Sequence, residues 1–257
     1  MPNAQARQQS DMEAVVQKLQ SSKQVLVLTG AGVSVGSGLP TYRGLGSPSD
    51  PVARQAMHAH SWHLPEIYPQ VRQHWEQLRS RLDDAEPCAA HRALTKIQRH
   101  VLSRGASLRI LTQNIDGLHQ RSGSEDVLEL HGSLMRTIVV DTPCGPLRRP
   151  DAVFFGEQIR HREEVVELVT EASLLLVVGS SGTVHPVAGI PAQARARTIR
   201  ADGIPYPRAV TALIDPVAWP DAGMHHFDHH LAMTADEALS AIADALDSAA
   251  TTDPARH

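Results

Sequence analysis

Three side chains that could carry out acid–base chemistry occur in one short stretch of the sequence: Asn114, Asp116 and His131. An amide both donates and accepts hydrogen bonds, an ionised carboxylate only accepts them, and an imidazole titrates near neutral pH. Each residue taken alone is weak evidence, because a histidine beside a glycine often has only a structural role. Together they predict a polar site at which a substrate is held and a proton is transferred.

A glycine-rich turn upstream adds a ligand-binding element to this site. Gly30, Ala31 and Gly32 allow the backbone to turn sharply, and free N–H groups in such a turn, with Ser34 beside them, are suited to a pyrophosphate. The usual dinucleotide fingerprint would place its third glycine at position 35, where Val35 stands. The turn therefore predicts a variant nucleotide loop; the alternative is a glycine-rich turn that binds nothing.

The elements that position these residues follow from the apolar pattern. Unalternating apolar runs predict parallel strands covered on both faces at residues 25–28, 108–111, 127–130, 174–178 and 210–214. Helical spacing predicts helices at residues 11–19 and 90–102 and around 165–172, and Thr234 with Glu237 forms a capping box for a C-terminal helix. We therefore expect an α/β fold, a Rossmann-like parallel sheet with helices on both faces, whose motifs meet at the carboxyl ends of the strands.

Two segments interrupt this alternation and predict a small inserted module. The Rossmann core is expected at about residues 11–44, 86–132 and 150–247. The module is expected at about 45–85, as a helical insert over the cofactor cleft, and at 133–149, and residues 248–257 are expected to form a disordered tail.

Composition excludes several function classes. The chain has 257 residues, a formal net charge of −4 and 4% aromatic residues, with no Lys/Arg tract, so we expect no direct nucleic-acid binding. No apolar run approaches bilayer length and no signal peptide is visible, so we expect no membrane association. Two cysteines fit a reducing compartment, and we expect a cytoplasmic protein.

Three segments, GAGVSVGSGLPTYRG, TQNIDGLHQRSG and LELHG, resemble in order and spacing the sirtuin family of NAD-dependent protein deacylases. The likeness continues in EPCAAHRAL, in LRRPDAVFFGE, in GSSGTV and at residues 210–215, and so covers most of residues 25–246. The resemblance implies that NAD lies across the carboxyl ends of the strands.

By this resemblance, His131 is the general base that acts on the ribose hydroxyls, while Asn114 and Asp116 hold the nicotinamide ribose and carboxamide. Tyr42, where the family usually has Phe, and Arg43 lie on a loop that closes over the ribose. The full set of NAD contacts that it implies is Gly30, Ala31, Gly32, Ser34, Tyr42, Arg43, Gln113, Asn114, Ile115, Asp116, Gly179, Ser180, Ser181 and Asp215. The family usually has Asn near Asp215, and an acid there accepts hydrogen bonds from ribose hydroxyls but donates none to a phosphate.

The substrate implied by the resemblance is an acylated lysine of a protein. Strand addition of an extended peptide is expected between two rails, and the substrate-binding residues are Val153, Phe154, Phe155, Gly156, Glu157 and Val184. Because the Tyr-x-x-Arg pair of succinyl-selective relatives is not evident after Arg43, an uncharged acyl group is expected.

One usual feature of the family is missing. Sirtuins typically carry two cysteine pairs after the catalytic His-Gly that hold a structural zinc ion, whereas only Cys144 lies between His131 and Phe155 here. We expect no metal and a module shortened to a ribbon or loop; the alternative is a replaced ligand set of Cys144, Asp141 and outside histidines. The histidine-rich stretches at residues 58–63 and 225–230 are interpreted as surface histidines.

Two other functions use the same motifs. An NAD glycohydrolase or mono-ADP-ribosyltransferase would need Asn114, Asp116 and His131 but would give ADP-ribose to water or to a protein side chain. A non-catalytic sensor of NAD or ADP-ribose would bind without turnover. The segment at residues 154–157 favours the deacylase, because a pure glycohydrolase has no need of a peptide rail.

Overall fold

The computed structural model describes residues 4–41, 51–142, 145–182, 187–196, 208–219 and 221–251. Its main sheet has six parallel strands in the order β3-β2-β1-β6-β7-β8. The strands are β1 Gln24–Thr29, β2 Ser107–Thr112, β3 Val127–Glu129, β6 Leu174–Val178, β7 Val210–Ile214 and β8 His229–Leu231. The predicted Rossmann-like α/β fold is confirmed, since the unalternating apolar runs form the buried centre of the sheet.

Helices cover both faces of this sheet. Helices α1, α4 and α9 pack on one face, and α6 and α7 pack on the other. The helices are α1 Ala4–Ser21, α2 Pro51–Ala56, α3 Tyr68–Asp84, α4 Ala89–Ser103, α5 Leu118–Arg121, α6 Arg162–Glu171, α7 Ile190–Arg195, α8 Asp221–Met224 and α9 Ala235–Thr251. Short 3₁₀ helices lie at Ala31–Ser37, Ala59–His63 and Val187–Gly189.

A second, antiparallel pair of strands follows the main β3 strand. It consists of β4 Gly132–Thr142 and β5 Gly145–Ala152, and its register is interrupted by a bulge between Ser133 and Thr137. Helices α2 and α3 pack against this pair through a third apolar cluster that includes Trp62, Trp75 and Phe154. The helical insert and the shortened ribbon thus share one core, separate from the two cores of the main sheet.

The terminal helices are longer than predicted. Helix α1 begins at Ala4 rather than near residue 11, and α9 continues to Thr251, so residues 248–251 are helical although we expected a tail from 248. The extra turns contain no glycine or proline, and alanine is the strongest helix former. The capping box is confirmed: Thr234 Oγ1 accepts the N–H of Glu237 at 3.3 Å, and the Glu237 carboxylate accepts the N–H of Thr234 at 3.0 Å.

Within the described ranges, no helix is both long enough and apolar enough to cross a bilayer.

Candidate active site

The glycine turn lies against the carboxyl end of strand β6. The N–H of Gly30 donates to Val178 O at 3.0 Å, and the N–H of Gly32 donates to Gly179 O at 2.8 Å. A Cβ on Gly32 would lie 2.6 Å from the Cα of Gly179, and Gly179 itself has φ +59°. Glycine is therefore required on both sides of this contact. The structure brings together the predicted residues Gly30, Ala31 and Gly32 and the Gly179 loop.

Asn114 and Asp116 lie beneath this turn and are held by Ser34. The Ser34 hydroxyl donates to Asp116 Oδ2 at 2.7 Å, and Asn114 Nδ2 donates to Ser34 Oγ at 3.1 Å and to Gly30 O at 3.2 Å. The N–H of Leu118, in the first turn of α5, donates to Asp116 Oδ1 at 3.0 Å. Both side chains are buried. The amide and the carboxylate are thus fixed in one orientation, while each carboxylate oxygen keeps a second lone pair for a ligand.

His131 lies between the end of β3 and the start of β4, and its ring is oriented by the backbone of Gln113, the residue after β2. Its Nδ1 is 2.9 Å from Gln113 O. Because a carbonyl oxygen only accepts, Nδ1 is assigned the proton and Nε2 keeps the basic lone pair. Burial lowers the pKa of His131, so the ring is neutral at pH 7. Gln113 also bonds Ser180 Oγ at 2.9 Å through its side chain, which links this end of the site to the β6 loop.

A layer of buried polar side chains under the site was not predicted. Thr29 Oγ1 lies 2.9 Å from both Thr112 Oγ1 and His119 Nε2, and Thr112 Oγ1 accepts the N–H of Asn114 at 3.1 Å. His91 Nε2 is 3.5 Å from Ser34 Oγ, and its ring packs edge-on against His119. His91 belongs to the segment EPCAAHRAL and His119 to TQNIDGLHQRSG. Their support of Ser34 and Asn114 from below is visible only in the fold.

The buried His119 makes the stability of the protein depend on pH. Burial lowers the pKa of His119 to about 3, whereas in the unfolded chain it is about 6.5. The unfolded chain therefore binds more protons at this group below pH 6.5, and the stability it contributes is complete above that pH and is lost as the pH falls. We expect the free energy of unfolding to drop by about 2 kcal/mol from this group between pH 7 and pH 5.

Urea unfolding at both pH values measures this effect. The His119→Gln variant should lose this fall in the free energy of unfolding. The His63→Gln variant, which changes an exposed histidine, should keep it. Equal pH dependence of the wild type and His119→Gln would contradict the assignment.

The predicted adenosine end of the site is formed by the loops after β6 and β7. Ser180 O accepts the indole N–H of Trp219 at 2.5 Å, and the Trp219 ring packs where a Cβ on Gly182 would lie. Asp215 Oδ1 accepts the N–H of Val217 at 2.9 Å, and Asp215 O lies 3.0 Å from His230 Nε2. The structure places Ser180, Ser181 and Asp215 at the ends of neighbouring strands, and it adds Trp219, which sequence reasoning missed.

The predicted peptide rail runs from His131 towards the helical insert. The N–H of Val153 donates to His131 O at 2.8 Å, while Phe154 is buried among Trp62 and Trp75. Phe155 exposes 43% of its surface, and its backbone pairs with Met57 O at 2.8 Å and with the N–H of Ala59 at 3.1 Å. Main-chain groups of Phe155 are thus occupied within the chain, and an added strand would have to use neighbouring positions of the rail.

Of the other predicted residues, three have described backbone geometry or contacts and three lie outside the described residues. Gly156 has φ +99°, and Glu157 accepts the N–H of Phe154 at 2.9 Å and pairs with Arg149 at 2.6 Å. Ile115 O accepts the N–H of Leu134 at 2.9 Å, which joins β4 to the loop that carries Asn114 and Asp116. Tyr42, Arg43 and Val184 lie outside the described residues.

The β4–β5 pair carries few of the donor side chains that a structural zinc site needs. Strands β4 and β5 and the turn between them contain one cysteine, Cys144, which lies outside the described residues, and no histidine. Cys88 is buried in the main core, where its thiol lies 3.2 Å from Val33 O. Within the described part of the chain, no three His, Cys, Asp or Glu side chains are grouped to hold a metal ion. The residues present do not fit a Cys₄ zinc ion.

Comparisons with known proteins place this geometry in a family. The Sir2 family model matches residues 30–143 and 136–186. An NAD-dependent protein deacylase of Thermus thermophilus is 36% identical over 205 residues, which are 70% of this chain and 78% of that protein. NAD-dependent protein deacylase 2 of Pyrobaculum aerophilum is 35% identical over 226 residues, which are 78% of this chain and 87% of that protein. A solved Sir2 homologue–NAD complex matches with a TM-score of 0.71 at 26% identity, covering 92% of this chain and 94% of that chain. The chain belongs to the Sir2 family, the sirtuins.

Proposed function

We propose that His131, Asn114 and Asp116 carry out the chemistry of an NAD-dependent protein lysine deacylase. The chain is an enzyme of the sirtuin type with NAD as its co-substrate, as its similarity to several curated deacylases shows. Such an enzyme transfers the acyl group of a lysine to ADP-ribose and releases nicotinamide. The observation that carries the residue assignment is the orientation of His131 through Nδ1, at the same end of the sheet as the buried Asn114 and Asp116.

The binding residues divide between the two halves of NAD. Gly30, Ala31, Gly32 and Ser34 would hold the pyrophosphate, because their backbone turn leaves no Cβ in the way. Ser180, Ser181 and Asp215 would hold the adenosine half, with Gln113 tied to Ser180. Tyr42 and Arg43 would lie on the loop that closes over the nicotinamide ribose.

Asn114 and Asp116 would face the nicotinamide half, together with Ile115 between them. The Asp116 carboxylate is suited to accept the N–H groups of the nicotinamide carboxamide, because Ser34 and Leu118 already fix its orientation. NAD supplies an electrophilic ribose carbon with nicotinamide as its leaving group, and the acyl-lysine oxygen is the nucleophile.

His131 would act as general base through Nε2. With Nδ1–H bound to Gln113 O, Nε2 is the atom that accepts a proton from a ribose hydroxyl. Burial lowers the pKa of His131 and so favours the neutral, basic form of the ring. Proton transfer of this kind contributes about 10²–10⁴-fold to a rate.

The proposed substrate is an acylated lysine of a protein, with an uncharged acyl group. Val153, Phe155, Gly156 and Glu157 would form one rail of the peptide groove, and Val184 would belong to the other. The exposed Phe155 would contact the substrate, and the buried Phe154 would support the rail from within the aromatic cluster. We propose that the groove lies between the Rossmann core and the small module, with the bounds expected from the sequence.

Chromatographic measurement of nicotinamide release tests the proposal. NAD is incubated with the protein alone, with an unacylated lysine peptide and with the matching acetyl-lysine peptide. Release that requires the acetylated peptide and yields acyl-ADP-ribose supports the deacylase. Equal nicotinamide release without peptide would identify a glycohydrolase. ADP-ribose attached to protein would identify a transferase, and NAD binding without nicotinamide release would identify a sensor.

A cytoplasmic location is part of the proposal. It is supported by the two cysteines of the sequence, which fit a reducing compartment. We propose that nucleic acid is not a direct partner, because the charge of −4 and the scarcity of aromatic residues do not favour it. We propose that a membrane is not a partner either, because no apolar run of the sequence approaches bilayer length.

A further inference from the structure

Four charged side chains surround the start of the β4–β5 strand pair, and we call them the Asp151 cluster: Glu129, Arg136, Asp151 and Arg160. Asp151 Oδ2 accepts hydrogen bonds from Arg136 Nε and from Arg160 Nη1, both at 3.0 Å, and Arg160 also pairs with Asp151 Oδ1. Arg136 extends the cluster to Glu129 at the end of β3. The cluster therefore connects β3, β4, β5 and the loop before α6.

The backbone that carries His131 passes through this cluster. Arg160 N–H donates to Leu130 O at 2.9 Å, and Val153 N–H, two residues after Asp151, donates to His131 O at 2.8 Å. A Cβ on Gly132 would lie 2.2 Å from Asp151 O and 2.9 Å from the Arg160 guanidinium carbon, so Gly132, with φ +71°, packs directly on the cluster. Movement of the cluster would move the His131 turn.

The cluster has the features that make ion pairs effective. The side chains of Asp151 and Glu129 are only 14% and 13% exposed, and Arg160 contacts Asp151 through two nitrogens. Paired, bidentate guanidinium–carboxylate bonds fix geometry as well as adding energy, whereas isolated surface pairs contribute little. The Arg160 guanidinium, followed by that of Arg136, lowers the pKa of Asp151. This lowered pKa favours the ionised form of the Asp151 carboxylate.

The cluster lies at the base of the β4–β5 pair, the strand pair whose side chains do not fit a structural zinc ion. The β4 bulge between Ser133 and Thr137 includes Arg136, whose side chain reaches Asp151 and Glu129. We propose that the Asp151 cluster, and no metal ion, holds the β4–β5 pair against the His131 turn, and that Asp151 and Arg160 are positioning residues for His131. The proposal rests on the proposed role of His131.

The Asp151→Asn variant tests the positioning role. Asparagine keeps the shape of the side chain and removes the charge that holds both arginines. We expect kcat to fall by about 10- to 100-fold with KM for NAD within about twofold, because a small misplacement of a reacting group is costly. The acidic limb of the kcat–pH profile should also move up towards the ordinary histidine value, since a loosened turn exposes the ring to water. Arg160→Lys keeps the charge but loses the bidentate contact. Its kcat should lie between those of the wild type and Asp151→Asn.

A matched control is available at the amino end of β3, whereas His131 follows the carboxyl end of that strand. Asp126 pairs with Arg109 at 2.6 Å, so Asp126→Asn also removes an aspartate–arginine ion pair, one whose aspartate is 45% exposed. It should leave kcat and its pH profile unchanged. Equal effects of the two substitutions on kcat, or a loss of NAD affinity in Asp151→Asn without loss of kcat, would overturn the positioning role.

Two readouts do not depend on turnover. Nitrogen-15 NMR of the histidines should show His131 with a protonated Nδ1 in the wild type and a mixture of tautomers in Asp151→Asn. Dialysis of the wild type against a zinc chelator should change neither its melting temperature nor its histidine spectrum. Unfolding by the chelator that added zinc reverses, or an unchanged His131 spectrum in the variant, would overturn the proposal. Absence of deacylation by the wild type would refute the proposed function alone.

Discussion

Replacing His131 by alanine is expected to slow lysine deacylation by about 10²–10⁴-fold, the usual contribution of a general base. NAD affinity should change little, because the glycine turn, Ser34, Asn114 and Asp116 are held by one another and by the strands, and not by the imidazole. The expected loss is therefore in kcat. Single-turnover deacylation and calorimetric titration with NAD measure the two quantities separately.

An exposed histidine provides the control for this substitution. His63→Ala removes an imidazole from the surface of the helical insert and should keep both kcat and NAD affinity. Wild-type turnover by His131→Ala, with NAD affinity retained, would exclude His131 as the base.

The Gly179→Ala substitution is expected to weaken NAD binding by at least about tenfold, since a strained left-handed residue or an overpacked contact each costs about 1–3 kcal/mol. Gly179 has φ +59°, and its Cβ would lie 2.5 Å from Val33 N and 2.6 Å from Gly32 C, which are backbone atoms. The glycine turn would have to leave the end of β6, and the proposed pyrophosphate site would lose its shape. Calorimetric titration with NAD and with ADP-ribose measures the loss for both ligands.

Gly189→Ala separates this effect from the general cost of adding a methyl group. Gly189 has φ −83°, and no atom beyond its chain neighbours and its own helix backbone lies within 4 Å of the position of its Cβ. The NAD affinity of Gly189→Ala should equal that of the wild type. Unchanged affinity in Gly179→Ala would show that the glycine turn does not form the pyrophosphate site.

The central strands and the ends at which the motifs lie could be predicted because their information is local. The runs at residues 25–28 and 174–178 are apolar without alternation, and the sheet buries both of their faces. The glycine turn and the Asn114–Asp116 segment directly follow strands, so the topology of a parallel sheet was enough to bring them together.

Other parts of the site depend on pairs far apart in sequence, which a local pattern does not reveal. His91 and His119 are held in the polar layer by residues from β1 and by the glycine turn. Arg160 and Arg136 converge on Asp151 only because β4 bulges and pairs with β5. Trp219 reaches Ser180 across the ends of two strands. In each case burial and pairing in three dimensions determine the role of the residue.

The ratio of products in a single reaction tests the proposed chemistry most directly. Nicotinamide, free-lysine peptide and acyl-ADP-ribose are quantified together by mass spectrometry while an acetyl-lysine peptide is consumed in the presence of NAD. Acyl transfer to ADP-ribose predicts equal amounts of all three products at every time point, with no free-lysine peptide when NAD is omitted. Nicotinamide formed in excess over free-lysine peptide, with ADP-ribose that carries no acyl group, would contradict it.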